Sequence, residues 1–182
     1  MFKWWHKIAS AHRSDDTTAR GEFIEFIFPR LSRPFFLRLA VVAVLALVIF
    51  GFLLMPCVID GESMLPTYQS HGFTLCKKWS YWFDSPKRGD IVIIRYGDDR
   101  HYLLKRVVAL AGDTVEFRNG TLYVNGEPLH EPYLRYFSDW NLPPRTVAPG
   151  NCYVVGDNRS QNINGHIFGQ INLKSITGQP LF

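Results

Sequence analysis

The chain has 182 residues, 47% of them hydrophobic, with a formal net charge of +4. The length allows one domain of ordinary size plus an extra segment, and the apolar share excludes a disordered chain. The mild basic balance by itself selects neither nucleic acid nor a membrane surface, so the placement of the charge has to decide.

Before residue 39 there are seven basic residues (Lys3, Lys7, Arg13, Arg20, Arg30, Arg33, Arg38) against four acids (Asp15, Asp16, Glu22, Glu25). Residues 1–38 read as a cytoplasmic tail. Its stretch GEFIEFIFPRLSRPFFLR is aromatic and basic, interrupted by Pro29 and Pro34, and is expected to lie along a membrane surface. Residues 39–59, LAVVAVLALVIFGFLLMPCVI, hold no charge. About 20 such residues span the roughly 30 Å hydrocarbon core of a bilayer. A cleaved signal peptide would start nearer the N-terminus and end in small residues, whereas large residues and Pro56 end this run. The expectation is a retained transmembrane helix at 39–59, with the basic flank in the cytoplasm and residues 60–182 outside it.

Residues 60–182 read as an all-β domain of barrel or sandwich type. Gly72–Lys77, Asp90–Tyr96, His101–Ala109, Thr114–Arg118, Thr121–Val124 and Cys152–Val155 are short and rich in β-branched or aromatic residues. Asn119-Gly120 predicts a tight hairpin and Asn125-Gly126 a second turn. The loop WSYWFDSPKRGD gathers Trp79, Tyr81, Trp82 and Phe83, which suits either a membrane-dipping loop or a contribution to the core. Cys76 and Cys152 are either a disulfide pair or small buried side chains, and their spacing decides neither.

Three segments carry chemistry. In Asp60-Gly61-Glu62-Ser63-Met64-Leu65-Pro66-Thr67 a serine sits in a constrained turn, which alone is a weak sign of a nucleophile. In His101–Ala109, strand alternation groups Lys105 with Leu103 and Val107, an apolar setting that calls for an explanation. One is a lysine snorkelling from an edge strand. The other is a lysine neutralised by desolvation. Bringing its pKa from about 10.4 to about 7 takes roughly 4 kcal/mol, after which it could take a proton from Ser63. The third segment, Tyr153–Ser160, is a strand ending in a Gly156-Asp157-Asn158 turn. His71, His101, His130 and His166 lack metal-ligand spacing, so neither metal nor cofactor is expected.

Taken together, GESMLPT around Ser63, RGDIVII at Arg88–Ile94, LLKRVVALAGDTV around Lys105 and YVVGDNR at Tyr153–Arg159 resemble the bacterial type I signal peptidase family of Ser-Lys proteases. The resemblance implies a mainly β fold: a coiled antiparallel β-sheet catalytic domain preceded by one transmembrane helix. It implies a bacterial cytoplasmic membrane, signal peptides of exported preproteins as partners, and cleavage after an Ala-x-Ala-like pattern. It also implies Ser63 as nucleophile, Lys105 as base and the Ser63 N–H in the oxyanion hole. Gly61 stands where some members add a serine hydroxyl, Met64 would pack against Lys105, and Arg106, Gly156 and Asp157 would support the site. After GDNR the family places a serine, an aspartate and an arginine, and here those positions hold Asn162, Asn164 and His166. Asn162 or Ser160 would then steady the lysine, and the ion pair would be lost.

Two further readings stand beside the general signal peptidase: a conjugation-type maturation peptidase of the same clan, and a catalytically silent membrane-anchored binding domain. A self-cleaving repressor is set aside, since the one Ala-Gly pair, Ala111-Gly112, lies downstream of Ser63 and no DNA-binding head is present. No nucleic-acid partner is expected, and the sequence sets no oligomeric state.

Overall fold

The structure is a computed structural model that describes residues 32–97, 102–163 and 169–182. The expectations for residues 1–31, His101, Asn164 and His166 fall outside these. The chain divides into two compact units at Leu47/Val48.

Helix α1 (Arg33–Val48), in the first unit up to Leu47, exposes apolar side chains on every side and buries none. Pro34 sits in its first turn, where the missing N–H has no helical partner to lose. A π-helical turn, Ile49–Leu53, carries the helix on. Arg33–Leu53 is long and apolar enough to cross a membrane by length and composition. This shifts the expected 39–59 boundaries toward the N-terminus. Residues Leu54–Val58 form strand β1 instead, in which Pro56, lacking an N–H, cannot continue a helix but is tolerated on an edge strand.

The second unit is built from antiparallel strands: β2 (Phe73–Lys77), β3 (Ile91–Arg95), β4 (Tyr102–Leu110), β5 (Thr114–Arg118), β6 (Thr121–Val124), β7 (Glu127–Pro128), β8 (Leu142–Thr146), β9 (Asn151–Val155), β10 (Gly169–Asn172) and β11 (Ile176–Pro180). One sheet has the order β1-β2-β11-β3-β4-β9-β10 and the other β7-β6-β5-β8. The fold is thus mainly β and antiparallel, as expected. The Asn119-Gly120 turn joins β5 to β6, pairing Arg118 with Thr121, and both turn residues have positive φ (47° and 79°). That is the backbone a two-residue hairpin with right-handed strand twist requires.

Two apolar clusters hold the sheets. Val108, Ala109, Val115, Phe117, Leu122, Trp140 and Tyr153 belong to one, which joins β4 and β9 to the smaller sheet. Val92, Ile94, Val107, Cys152 and Val154 form the other. β9 serves both by alternation, Tyr153 and Val155 on one side, Cys152 and Val154 on the other. Burying each such aliphatic or aromatic side chain contributes about 1.5–3 kcal/mol, so β9 and its partner β4 form a rigid centre.

All three cysteines are free thiols. Between Cys76 on β2 and Cys152 on β9 lie β11, β3 and β4. At about 4.8 Å per strand the separation is near 19 Å, well beyond the roughly 7 Å limit for a bridge. The small-buried-residue reading holds. In the aromatic loop the core reading holds for Tyr81. Tyr81 packs against the second cluster and donates to Asp90 Oδ2 at 2.9 Å, whereas Trp82 and Phe83 are 56% and 98% exposed.

Candidate active site

Between β1 and β2 the chain makes a tight excursion. Its base is closed by Ile59 N–H donating to Gly72 O (2.8 Å) and His71 N–H donating to Ile59 O (2.7 Å). At Gly61 φ is +104°, and a Cβ there would meet nothing within 4 Å, so conformation rather than crowding requires glycine. Leu65 N–H donates to Glu62 O (3.1 Å) and Tyr68 N–H to Met64 O (2.9 Å), which winds Ser63 into a turn. Met64 is buried on its inner side, 2% exposed.

Lys105 reaches this turn from β4. Its cross-strand partner is the fully buried Val92, and Lys105 itself is 3% exposed. Lys105 Nζ lies 2.6 Å from Ser63 Oγ. Two effects compete at the amine. Desolvation pushes its pKa down and the Asp157 carboxylate pushes it up; desolvation wins, leaving it at about 8. Asp157 has little influence to spare because it is already committed. Arg106 clamps both its oxygens, Nε to Oδ1 at 2.8 Å and Nη2 to Oδ2 at 2.6 Å, and Thr67 Oγ1 donates to Oδ2 at 2.5 Å. Asp157 is fully buried, so this bidentate pair balances its charge locally.

Arg106 also stacks on the Tyr133 ring at 3.8 Å and donates to Gly89 O at 2.9 Å. Tyr133 donates to Glu131 Oε1 at 2.6 Å, and Glu131 in turn accepts from Arg159 Nη2 at 2.5 Å. Arg159 is 1% exposed and its Nε donates to Gly156 O at 2.8 Å, bracing the Gly156-Asp157-Asn158 turn. The Glu131–Arg159 pair was missed in the sequence. Nothing in the spacing of residues 131 and 159 announces it, and the acid on the arginine's own turn, Asp157, pairs with Arg106 instead.

Asn158 is a further residue the sequence did not single out. Its backbone N–H donates to Ser63 O (2.9 Å) and its Nδ2 to Glu62 O (3.1 Å). Its Oδ1 accepts from both Ser160 N–H (3.1 Å) and Ser160 Oγ (2.8 Å). The Ser160 hydroxyl proton is therefore given to Asn158 and not to the lysine, contrary to one expectation. Asn162 is exposed. The other expected residues, Ser63, Lys105, Gly61, Met64, Arg106, Gly156 and Asp157, converge around the turn.

A cleft of about 500 Å³, counting its open mouth, runs past Ser63. Val58 of β1, Met64, Ile93 of β3, and Leu103 and Leu104 of β4 give it apolar walls. Among the described residues no group of His, Cys, Asp and Glu could hold a metal ion.

Known proteins place this geometry in context. A family model described as "Signal peptidase, peptidase S26" matches residues 32–182. A probable signal peptidase I-1 of Synechocystis is 37% identical over 152 residues, covering 79% of this chain and 78% of that protein. A signal peptidase I of Bacillus caldolyticus is 34% identical over 163 residues, covering 82% of this chain and 87% of that protein. A solved signal peptidase I from Enterococcus faecalis is 30% identical, with a TM-score of 0.44 over 53% of this chain and 97% of that one. On the extent of the family match and the identity to these relatives, the chain belongs to the signal peptidase family, peptidase S26.

Proposed function

We propose that this signal peptidase is a membrane-bound Ser-Lys endopeptidase that removes N-terminal signal peptides from exported preproteins after small residues. The observation that carries the reading is the 2.6 Å contact between Ser63 Oγ and a lysine whose pKa burial brings to about 8. An ordinary lysine is charged at neutral pH and can accept no proton; this one is neutral for about a tenth of the time at pH 7.

Ser63 Oγ attacks the scissile carbonyl carbon while its proton passes to Lys105 Nζ. The oxyanion forms near the Ser63 N–H. Collapse of the tetrahedral species breaks the peptide bond, and the departing amine of the mature protein takes the proton from Lys105. A water then gives a proton to Lys105 and attacks the acyl-enzyme, releasing the signal peptide and restoring Ser63. The apolar walls of the cleft suit small side chains before the cut. The helix Arg33–Leu53 anchors the enzyme, with the basic tail in the cytoplasm and the β domain outside. Lys78, which donates to Gly51 O at 3.0 Å, sits with the exposed Trp82 and Phe83 at headgroup level.

The test is cleavage of several preproteins with Ala-x-Ala sites by the detergent-solubilised full chain. Ser63→Ala and Lys105→Ala should each lower kcat/KM by at least about 10³-fold. Processing of one pilin-like substrate alone would indicate a dedicated maturation peptidase. No processing by wild type would indicate a binding domain without catalysis, and processing unchanged in both variants would remove Ser63 and Lys105 from the mechanism.

A further inference from the structure

We propose that Asn158 is a positioning residue that aims the backbone donor of the oxyanion hole, and that Ser160 locks it in the working orientation. The inference rests on the reading of Ser63 as nucleophile and extends it to a group that touches neither substrate nor lysine.

The geometry concerns two consecutive peptide groups. A trans peptide is planar, so its C=O and the following N–H point in opposite directions. The Glu62–Ser63 peptide carries Glu62 O at one end and the Ser63 N–H at the other. Glu62 O accepts from Asn158 Nδ2 at 3.1 Å and from Leu65 N–H at 3.1 Å, which uses both its lone pairs. Holding that oxygen holds the plane, and holding the plane fixes the direction of the Ser63 N–H on its far side. The next peptide is held by the same residue, since the Asn158 N–H donates to Ser63 O at 2.9 Å. One asparagine thus fixes the backbone on both sides of the nucleophile.

An asparagine side chain can do this only if its amide is turned the right way. Flipped, it would set an oxygen against Glu62 O. Here Oδ1 accepts from Ser160 N–H and Ser160 Oγ, two donors that would face an NH2 group if the amide turned over. The residue is 4% exposed, so water offers the flipped form little compensation. Below it, Arg159 is tied to Gly156 O and Glu131, so the platform carrying Asn158 is itself braced. The need for such control follows from the chemistry. An oxyanion donor works by being aimed in advance at where charge develops, and a turn residue with glycine two positions earlier has freedom to swing.

The experiment compares wild type, Asn158→Ala, Asn158→Asp and Ser63→Ala in the full-length, detergent-solubilised enzyme. Asn158→Asp keeps the shape and the acceptor for Ser160 but puts a carboxylate oxygen against Glu62 O. Losing an oxyanion donor outright costs about 10²- to 10³-fold in kcat, so a donor left in place but misaimed should cost about 10- to 100-fold in both Asn158 variants. KM should stay within about twofold. In Asn158→Ala, which adds no charge, the pH midpoint of kcat/KM should stay near 8, whereas the carboxylate of Asn158→Asp should move it upward, as Asp157 does. A peptide aldehyde ending in alanine, which forms a tetrahedral adduct on Ser63, should bind more weakly by the factor lost in kcat. A product peptide with a free carboxylate should bind as to wild type. That selective loss separates aiming from a general loosening of the fold, which would weaken both ligands and lower the melting temperature together.

The proposal is overturned if either variant, folded by its melting curve, keeps kcat within about threefold of wild type, or if aldehyde and product peptide weaken equally. Should wild type itself fail to cleave, or Ser63→Ala cleave as well as wild type, the nucleophile assignment falls and takes this inference with it. If Ser63→Ala is inactive and Asn158→Ala keeps kcat within about threefold of wild type, the assignment stands and only the aiming role is lost.

Discussion

Lys105 shows how a single residue is both legible and incomplete in a sequence. Alternation along its strand placed it among aliphatic neighbours and left two readings, a snorkelling lysine and a neutral amine; its 3% exposure decides for the second. The degree of neutrality depends on Asp157, fifty-two positions away, and on whether Arg106 and Thr67 have already claimed its charge. A consequence is measurable. If Lys105 is the base proposed above, it must be unprotonated to act, and with its pKa lowered from 10.5 to about 8, activity increases with pH through that value. kcat/KM should rise about tenfold between pH 6 and 7, bend near 8 and level off above 9. An unshifted lysine would still be climbing tenfold per unit at pH 9, and a rate profile of that form would remove burial as the activating device. Asn158, by contrast, could not be read in advance. Its work is done on Glu62 O across ninety-six positions, and in the sequence it announces only a turn.

Among the elements, those written in β-branched and aromatic residues were legible to within a residue at most ends, because their hydrophobic alternation is local. The strands that escaped are the ones whose residues argue against a strand. β1, β7, β8 and β11 contain proline, β10 reads Gly-Gln-Ile-Asn, and all form because a neighbour offers a ladder, not because their own propensity asks for one. The two Asn-Gly turns separate conformation from crowding. A Cβ at Gly126 would meet nothing within 4 Å, whereas at Gly120 it would fall 1.8 Å from Ser138 O. Both residues have positive φ, so Gly126→Ala should cost about 1–2 kcal/mol for the left-handed backbone alone. Gly120→Ala has that cost and a backbone clash, and should destabilise by at least about twice as much in urea unfolding. Equal losses would mean that the loop bearing Ser138 yields freely.

At the scale of the whole chain, the correction at residues 54–58 has practical weight. The apolar run in the sequence continues to Ile59, and a boundary drawn there would discard β1, which pairs with β2 from Leu54↔Lys77 to Val58↔Phe73 and contributes Cys57 and Val58 to the cleft. A chain beginning at residue 54 should leave the membrane fraction and still cleave a short Ala-x-Ala peptide. One beginning at residue 60 should lose at least about 10-fold in kcat/KM, since the edge beside Ser63 goes with it. Comparable peptide cleavage by the two truncations would show that β1 has no part in the cleft. The apolar character of 54–59 hid this because a half-buried edge strand and the last turn of a lipid-facing helix use the same residue types; Pro56 is what tells them apart.

The absence of any linker between Leu53 and β1 sets a working distance. Ser63 follows Leu53 by ten residues, and a chain of that length extends at most about 35 Å. On the function proposed above, with the helix seated in a bilayer, Ser63 would be leashed to a layer of that thickness and would patrol an area, not a volume. Its encounters with a membrane-held chain then scale with molecules per square micrometre. A soluble peptide at any ordinary bulk concentration samples that layer only in passing, so turnover on free peptides should understate what the enzyme achieves on substrates that share its surface.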